Sequence, residues 1–154
     1  MKQVFNIGNL ALLLAVVVVL ASCQKTDPSV KKTVPFVGKF KLSIGEDGVH
    51  GTGVAFPTKS FTLFAKDNEE NFPQITGTVT ITASNGEQIF ATHTGLAEEL
   101  DNNMLKVHFD NTITGGTGRF TGATGHFDID ALLNEKLGTG EATIDGIISY
   151  KAIQ

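Results

Sequence analysis

The sequence predicts an all-β fold, an eight-stranded antiparallel barrel set behind an exported leader and a short tether. Three observations lead there. Beyond Pro35 the apolar residues alternate with period two, turn residues interrupt them at short intervals, and no segment reads as a long amphipathic helix. A single domain of about 130 residues is enough to close one core without disulfides.

The leader comes first. Lys2 supplies a small positive n-region, and Leu10 to Ala21 form an uncharged apolar run of about twelve residues, the length of a signal h-region. A spanning helix needs about twenty, and Asn6, Gly8 and Asn9 interrupt any upstream extension. The run closes on Leu20-Ala21-Ser22-Cys23, which resembles a bacterial lipobox. That resemblance implies a signal peptide over residues 1–22, cleaved before an acylated Cys23, and two or three acyl chains suffice for stable anchoring. Gln24 rather than Asp follows the cysteine, which by the same resemblance implies the outer membrane of a Gram-negative cell envelope. Cys23 is the chain's only cysteine, so the folded domain has no disulfide and no cysteine-based zinc site.

Residues 23–35 are polar and proline-punctuated, and are expected to form the tether. The barrel domain is expected over residues 36–154. Its clearest strand sets Ile75, Gly77, Val79, Ile81 and Ala83 on one face against Thr76, Thr78, Thr80 and Thr82 on the other. Asn85-Gly86 then predicts a type I′ hairpin into Gln88 to Thr94. Further strands are read at Phe36 to Ile44, Phe61 to Ala65, Leu105 to Phe109, Phe127 to Leu133 and Ala142 to Tyr150, with a weaker one at Val49 to Phe56. Gly45 to Gly48, Asp67 to Asn71, Glu98 to Asn103, Gly115 to Gly118 and Asn134 to Gly138 read as turns. Closure into a barrel is favoured over an open sandwich because it removes unpaired edges.

Gly-Thr-Gly occurs at Gly51, Gly116 and Gly138 without a fixed period, which excludes a solenoid. Gly116, Gly118 and Gly122 lack the spacing and the following helix of a phosphate cradle. Net charge is −4, and Arg119 is the only arginine, so nothing suggests a nucleic-acid partner.

The glycine-rich stretch Ile113-Thr114-Gly115-Gly116-Thr117-Gly118-Arg119-Phe120-Thr121-Gly122-Ala123-Thr124-Gly125 resembles the strand-turn-strand signature of bacterial proteins with an allene oxide cyclase-like or dirigent-like barrel. Thr76 to Gly86 and Gly140 to Tyr150 fit the same pattern, and the resemblance covers Phe36 to Tyr150. It implies an eight-stranded antiparallel barrel with an interior cavity and, from plant relatives, homo-oligomers. No catalytic position of the plant enzymes maps onto a residue of this chain.

Candidate polar positions follow from parity. His126, Asp128 and Asp130 share one strand face opposite Phe127, Ile129 and Ala131, as Lys106, His108 and Asp110 oppose Leu105, Val107 and Phe109. Such sets belong on a solvated outer surface, whereas a polar interior would make them a pocket lining. His93 has the parity of Ile89 and Ala91 and is expected to face inward. Arg119 would be an anion clamp or a turn residue. Asp67, Asn68, Glu69 and Glu70 lack the spacing of a calcium loop and read as a solvated loop. No cofactor and no metal site are expected. The function expected is that of a lipid-anchored, noncatalytic envelope barrel that binds a small apolar ligand or an envelope partner. The alternatives are a cyclase-like or dirigent-like enzyme acting in the barrel cavity, and a structural or oligomeric module.

Overall fold

The computed structural model describes residues 30–151; the expected leader, Cys23 and the first part of the expected tether lie outside them. Nine strands form one antiparallel sheet: β1 Lys31–Pro35, β2 Val37–Gly45, β3 Gly48–Phe56, β4 Lys59–Asn71, β5 Gln74–Ala83, β6 Gln88–Leu100, β7 Met104–Gly116, β8 Thr124–Asn134 and β9 Thr139–Lys151. Neighbours follow chain order from β2 to β9, and β9 returns to pair with β2. This closes the eight-stranded barrel that the alternation predicts.

β1 and β2 share the same edge of β9, from Lys31 opposite Lys151 to Ser43 opposite Thr139. The register does not shift between them, and the Phe36 N–H bonds the Gly146 carbonyl at 2.8 Å. They are one strand interrupted beside Pro35, which has no N–H to give the ladder. The last five residues of the stretch read as tether therefore belong to the sheet. β1 lies beyond the end of β3, where Lys31, Lys32 and Pro35 are residues suited to a protected edge.

Inward parity positions make a continuous core. Phe36, Ile81, Ile89, Val107, Phe120, Phe127 and Ile148 are fully buried, and Phe36 meets Phe127 edge to face with centroids 5.0 Å apart. The two barrel ends differ. At one, the short 3₁₀ turn Gly118–Phe120 between β7 and β8 folds Phe120 inward against Tyr150, with centroids 5.1 Å apart, and closes the barrel. At the other, formed by the β2–β3, β4–β5, β6–β7 and β8–β9 connections, the 3₁₀ turn Asp101–Asn103 between β6 and β7 buries none of its residues.

The β5–β6 hairpin forms where expected but with a different turn. Asn85 does not have positive φ; Gly86 does, at 84°, while its N–H bonds Ala83 O at 2.9 Å and Ala83 N–H bonds Glu87 O at 2.8 Å. That is a three-residue loop with a left-handed glycine, not a type I′ turn. Two further segments read as loops are strand. Asp67 to Asn71 continue β4 and Glu98 to Leu100 continue β6, because the strands run past the core into the rim, where inward positions are wet.

Candidate interior polar site

Directly opposed residues of an antiparallel sheet project to the same face, so register decides which side chains meet. One row runs Asp67, Gly77, His93, Asn111 and Phe127 across β4 to β8. All of these positions look into the barrel. Asp67 and His93 are two strands apart, yet His93 Nε2 lies 3.0 Å from Asp67 Oδ1. Gly77 makes this approach possible. A Cβ there would stand 2.8 Å from His93 Nε2 and 2.3 Å from Lys66 O, so a side chain would expel the imidazole from the space it crosses.

The pair is buried, with 3 % of the His93 side chain and 14 % of Asp67 exposed. Its distance is that of an ion pair, but the atoms are not aligned for a hydrogen bond, and both Nε2 and Oδ1 are without a hydrogen-bond partner. Next in the row, Asn111 is 1 % exposed; its Nδ2 donates to Phe109 O at 3.2 Å, and its Oδ1 has no partner. The Phe109 ring lies edge-on to His93, with centroids 4.9 Å apart.

These three polar groups face a cavity of about 90 Å³ whose other walls include Leu63, Ala65, Ile75, Val79 and Val107. Exposed Ile44 and Glu69 also line it, so it reaches solvent at the unplugged end. It is smaller than the roughly 300–1,000 Å³ of sites for drug-sized ligands. A larger hollow of about 670 Å³ lies on the outer face, where its charged lining is Lys39, Lys41, Lys106, Asp130 and Glu141. No buried polar group faces it, and the chemistry is inside.

The five candidate positions do not converge. His93 alone faces the interior. His126, Asp128 and Asp130 lie on the outer face of β8, as expected for a strand whose opposite parity is Phe127, Ile129 and Ala131. Asp130 bonds His108 Nδ1 at 2.8 Å across the β7–β8 register, and this bond, with the nearby Asp128 and Asp110 charges, raises the His108 pKa above its ordinary value. Asp128 stands between Asp110 and Asp145 in the outer row. No group of three ligating side chains suited to a metal occurs among the described residues.

Arg119 belongs to the plugged end. Its Nε is 3.1 Å from Glu87 Oε2, its backbone N–H donates to Glu87 Oε1 at 2.9 Å, and Nη2 donates to Pro57 O at 3.1 Å. Its guanidinium also lies 4.7 Å from the Phe120 ring centroid. One side chain thus ties three connections together, a role closer to the turn residue than to an anion clamp. The Glu87 carboxyl is held below its ordinary pKa, first by the Arg119 backbone N–H and then by the Asn85 amide.

Sequence reasoning missed Asp67 and Asn111. The signal was present: Asp67 continues the parity of Phe61, Leu63 and Ala65, and Asn111 that of Leu105, Val107 and Phe109.

No family model matches the chain, and no curated protein matches it. Solved structures do. The pterocarpan synthase dirigent protein GePTS1 superposes with a TM-score of 0.55 at 12 % identity, covering 83 % of this chain and 90 % of that one. The pterocarpan synthase dirigent protein PsPTS1 gives a TM-score of 0.50 at 10 % identity, covering 82 % and 99 %. At such identity the likeness is one of fold.

Proposed function

We propose that this chain is a lipid-anchored cell-envelope protein whose barrel takes up a small, mostly apolar ligand through its unplugged end. The ligand's single polar group docks on the row His93, Asp67 and Asn111. The observation that carries this reading is the Asn111 amide oxygen, buried in apolar surroundings with no partner. An unmet buried acceptor costs about 1–3 kcal/mol, which a hydroxyl or amine of the ligand would recover. The anchor rests on Leu20-Ala21-Ser22-Cys23.

Cavity size narrows the ligand class. An apolar cavity of roughly 150 Å³ admits benzene, and the space here is about 90 Å³. A short-chain alcohol or amine fits that scale, as does the end of a longer chain entering through the mouth.

A second reading is favoured by one observation, the approach of Asp67 to His93. A carboxylate beside an imidazole is the arrangement of a general acid–base pair. On that reading the barrel is a cyclase-like or dirigent-like enzyme that steers a reactive intermediate in its cavity. The small cavity favours binding over this alternative.

The test is native mass spectrometry of the full chain extracted from its own envelope. The expected result is a bound small molecule in the unaltered protein, lost in Asn111→Leu. A bare polypeptide mass in both, with titration of butanol or butylamine leaving the His93 and Asn111 resonances unmoved, contradicts binding.

A further inference from the structure

The two ends of the barrel differ in charge, while the outer face between them carries both signs, with Lys39, Lys41 and Lys106 as well as Asp110, Asp128, Asp130 and Asp145. At the plugged end, Lys31, Lys32, Lys59, Arg119 and Lys151 stand against one carboxylate, Glu87, which Arg119 itself engages. The unplugged end is acidic: Glu46 and Asp47 occupy the β2–β3 turn, Glu69 and Glu70 the end of β4, and Glu98 and Glu99 the end of β6. Its fourth turn sets Glu135 beside Lys136. Strands of nine to thirteen residues, rising about 3.3 Å per residue and tilted by about 40°, hold the two ends roughly 25 Å apart. Salt screens charge over about 8 Å, so the acidic rim does not cancel the field at the basic end.

The basic end is also where the described chain begins. Lys31 pairs with Lys151, and its Nζ donates to Gly122 O at 3.0 Å, fixing the start of β1 beside the β7–β8 connection. Val30 is 59 % exposed there and Phe56, at the β3–β4 turn, 53 %, but Leu137 and Ile44 at the mouth are exposed as well, so apolar exposure does not distinguish the two ends. From Cys23 to Val30 the chain spans about 25 Å at most.

We infer that the plugged end is a docking surface for an anionic phospholipid bilayer, so that the cavity mouth faces away from the lipid and loads from the aqueous side. This rests on the lipid-anchored reading. Charge complementarity and the place where the chain enters the barrel select that end. A lysine near an anionic surface contributes about 1 kcal/mol, a fivefold gain in partition. The acidic rim is repelled by the same surface.

The experiment uses the full acylated chain in phosphatidylglycerol vesicles, with a nitroxide on Ser84→Cys at the plugged end or Asn71→Cys at the mouth. Acylated Cys23 offers no competing thiol. A nickel-chelating lipid is expected to relax the label at 84 several-fold more than the label at 71, and Lys32→Glu with Lys59→Glu to erase the difference. Equal relaxation, or more at 71, overturns the docking surface. The anchor is tested separately. A thiol at Cys23 that reacts with maleimide in the isolated protein defeats the anchored reading, and the surface is then judged on that chain alone. Cosedimentation with phosphatidylglycerol vesicles, reduced roughly fivefold for each lysine replaced, upholds the surface; no binding, or binding unchanged by the replacements, rejects it. Circular dichroism on each variant establishes that it is folded.

Discussion

Gly77 sets the chemistry of the interior more than any polar residue does. With a methyl group there, clashes with Lys66 O and His93 Nε2 force either the strand or the ring to move. Gly77→Ala is expected to destabilise the protein by about 1–3 kcal/mol in urea unfolding, as overpacking does, and to shift the His93 ring resonances. Unchanged stability and unchanged resonances would contradict the packing described. Asn111 tests the opposite case. Its oxygen has no partner, so Asn111→Leu removes an unmet group and is expected to leave the ligand-free protein as stable or about 1 kcal/mol more stable, while abolishing binding. A large loss of stability would mean that the amide supports the fold. His108 offers a titration. Its folded pKa is raised, so the Asp130 contact is fully present below about pH 6.5 and is lost as pH rises through the folded value. NMR titration should place the midpoint above 6.5 and Asp130→Asn should lower it; an unshifted midpoint in both would refute the pairing. The pair is exposed, so its effect on stability is small.

Among the elements, the turn Gly118–Phe120 decides that one end is closed. Gly118 has φ 56°, which disfavours a side chain, and a Cβ there would stand 2.2 Å from Glu87 Oε1 and push that carboxylate out of its contact with Arg119. Glu87 has a lowered folded pKa, so its contribution exists above the ordinary carboxylate value and is lost as pH falls through the folded one. Glu87→Gln should therefore loosen this end at neutral pH and flatten the acid dependence of hydrogen exchange around Phe120. A profile identical to the unaltered chain would contradict the clamp. The strands themselves were legible, because Ile75 to Ala83 or Phe127 to Leu133 alternate cleanly where one face is buried. Legibility failed at the rims. Asn68 to Asn71 and Glu98 to Leu100 are strand with water on both faces, and Lys31 to Pro35 place only Val34 in the core, so hydrophobicity barely marks parity there.

The whole molecule shows why the site was less legible than the fold. His93 could be turned inward from its own neighbours, but its partner lies 26 positions earlier and meets it only through the register of β4, β5 and β6. Local pattern carries no such information. Closure also explains why His126, Asp128 and Asp130 stay outside: a barrel of eight strands has room within for one parity set, and that set is apolar on β8. The result is a packed barrel with one small, mostly apolar pocket that carries a row of buried polar groups, near an acidic rim and with a basic plug at the far end. The most direct test of that account is the ring nitrogen spectrum of His93 in the full chain, recorded while butylamine and then butanol are added. Saturable shifts are expected at His93 and Asn111, vanishing in Asn111→Leu while the His108 signals on the outer face stay fixed. Shifts at His108 alone, or none at His93 at saturating probe, would contradict it.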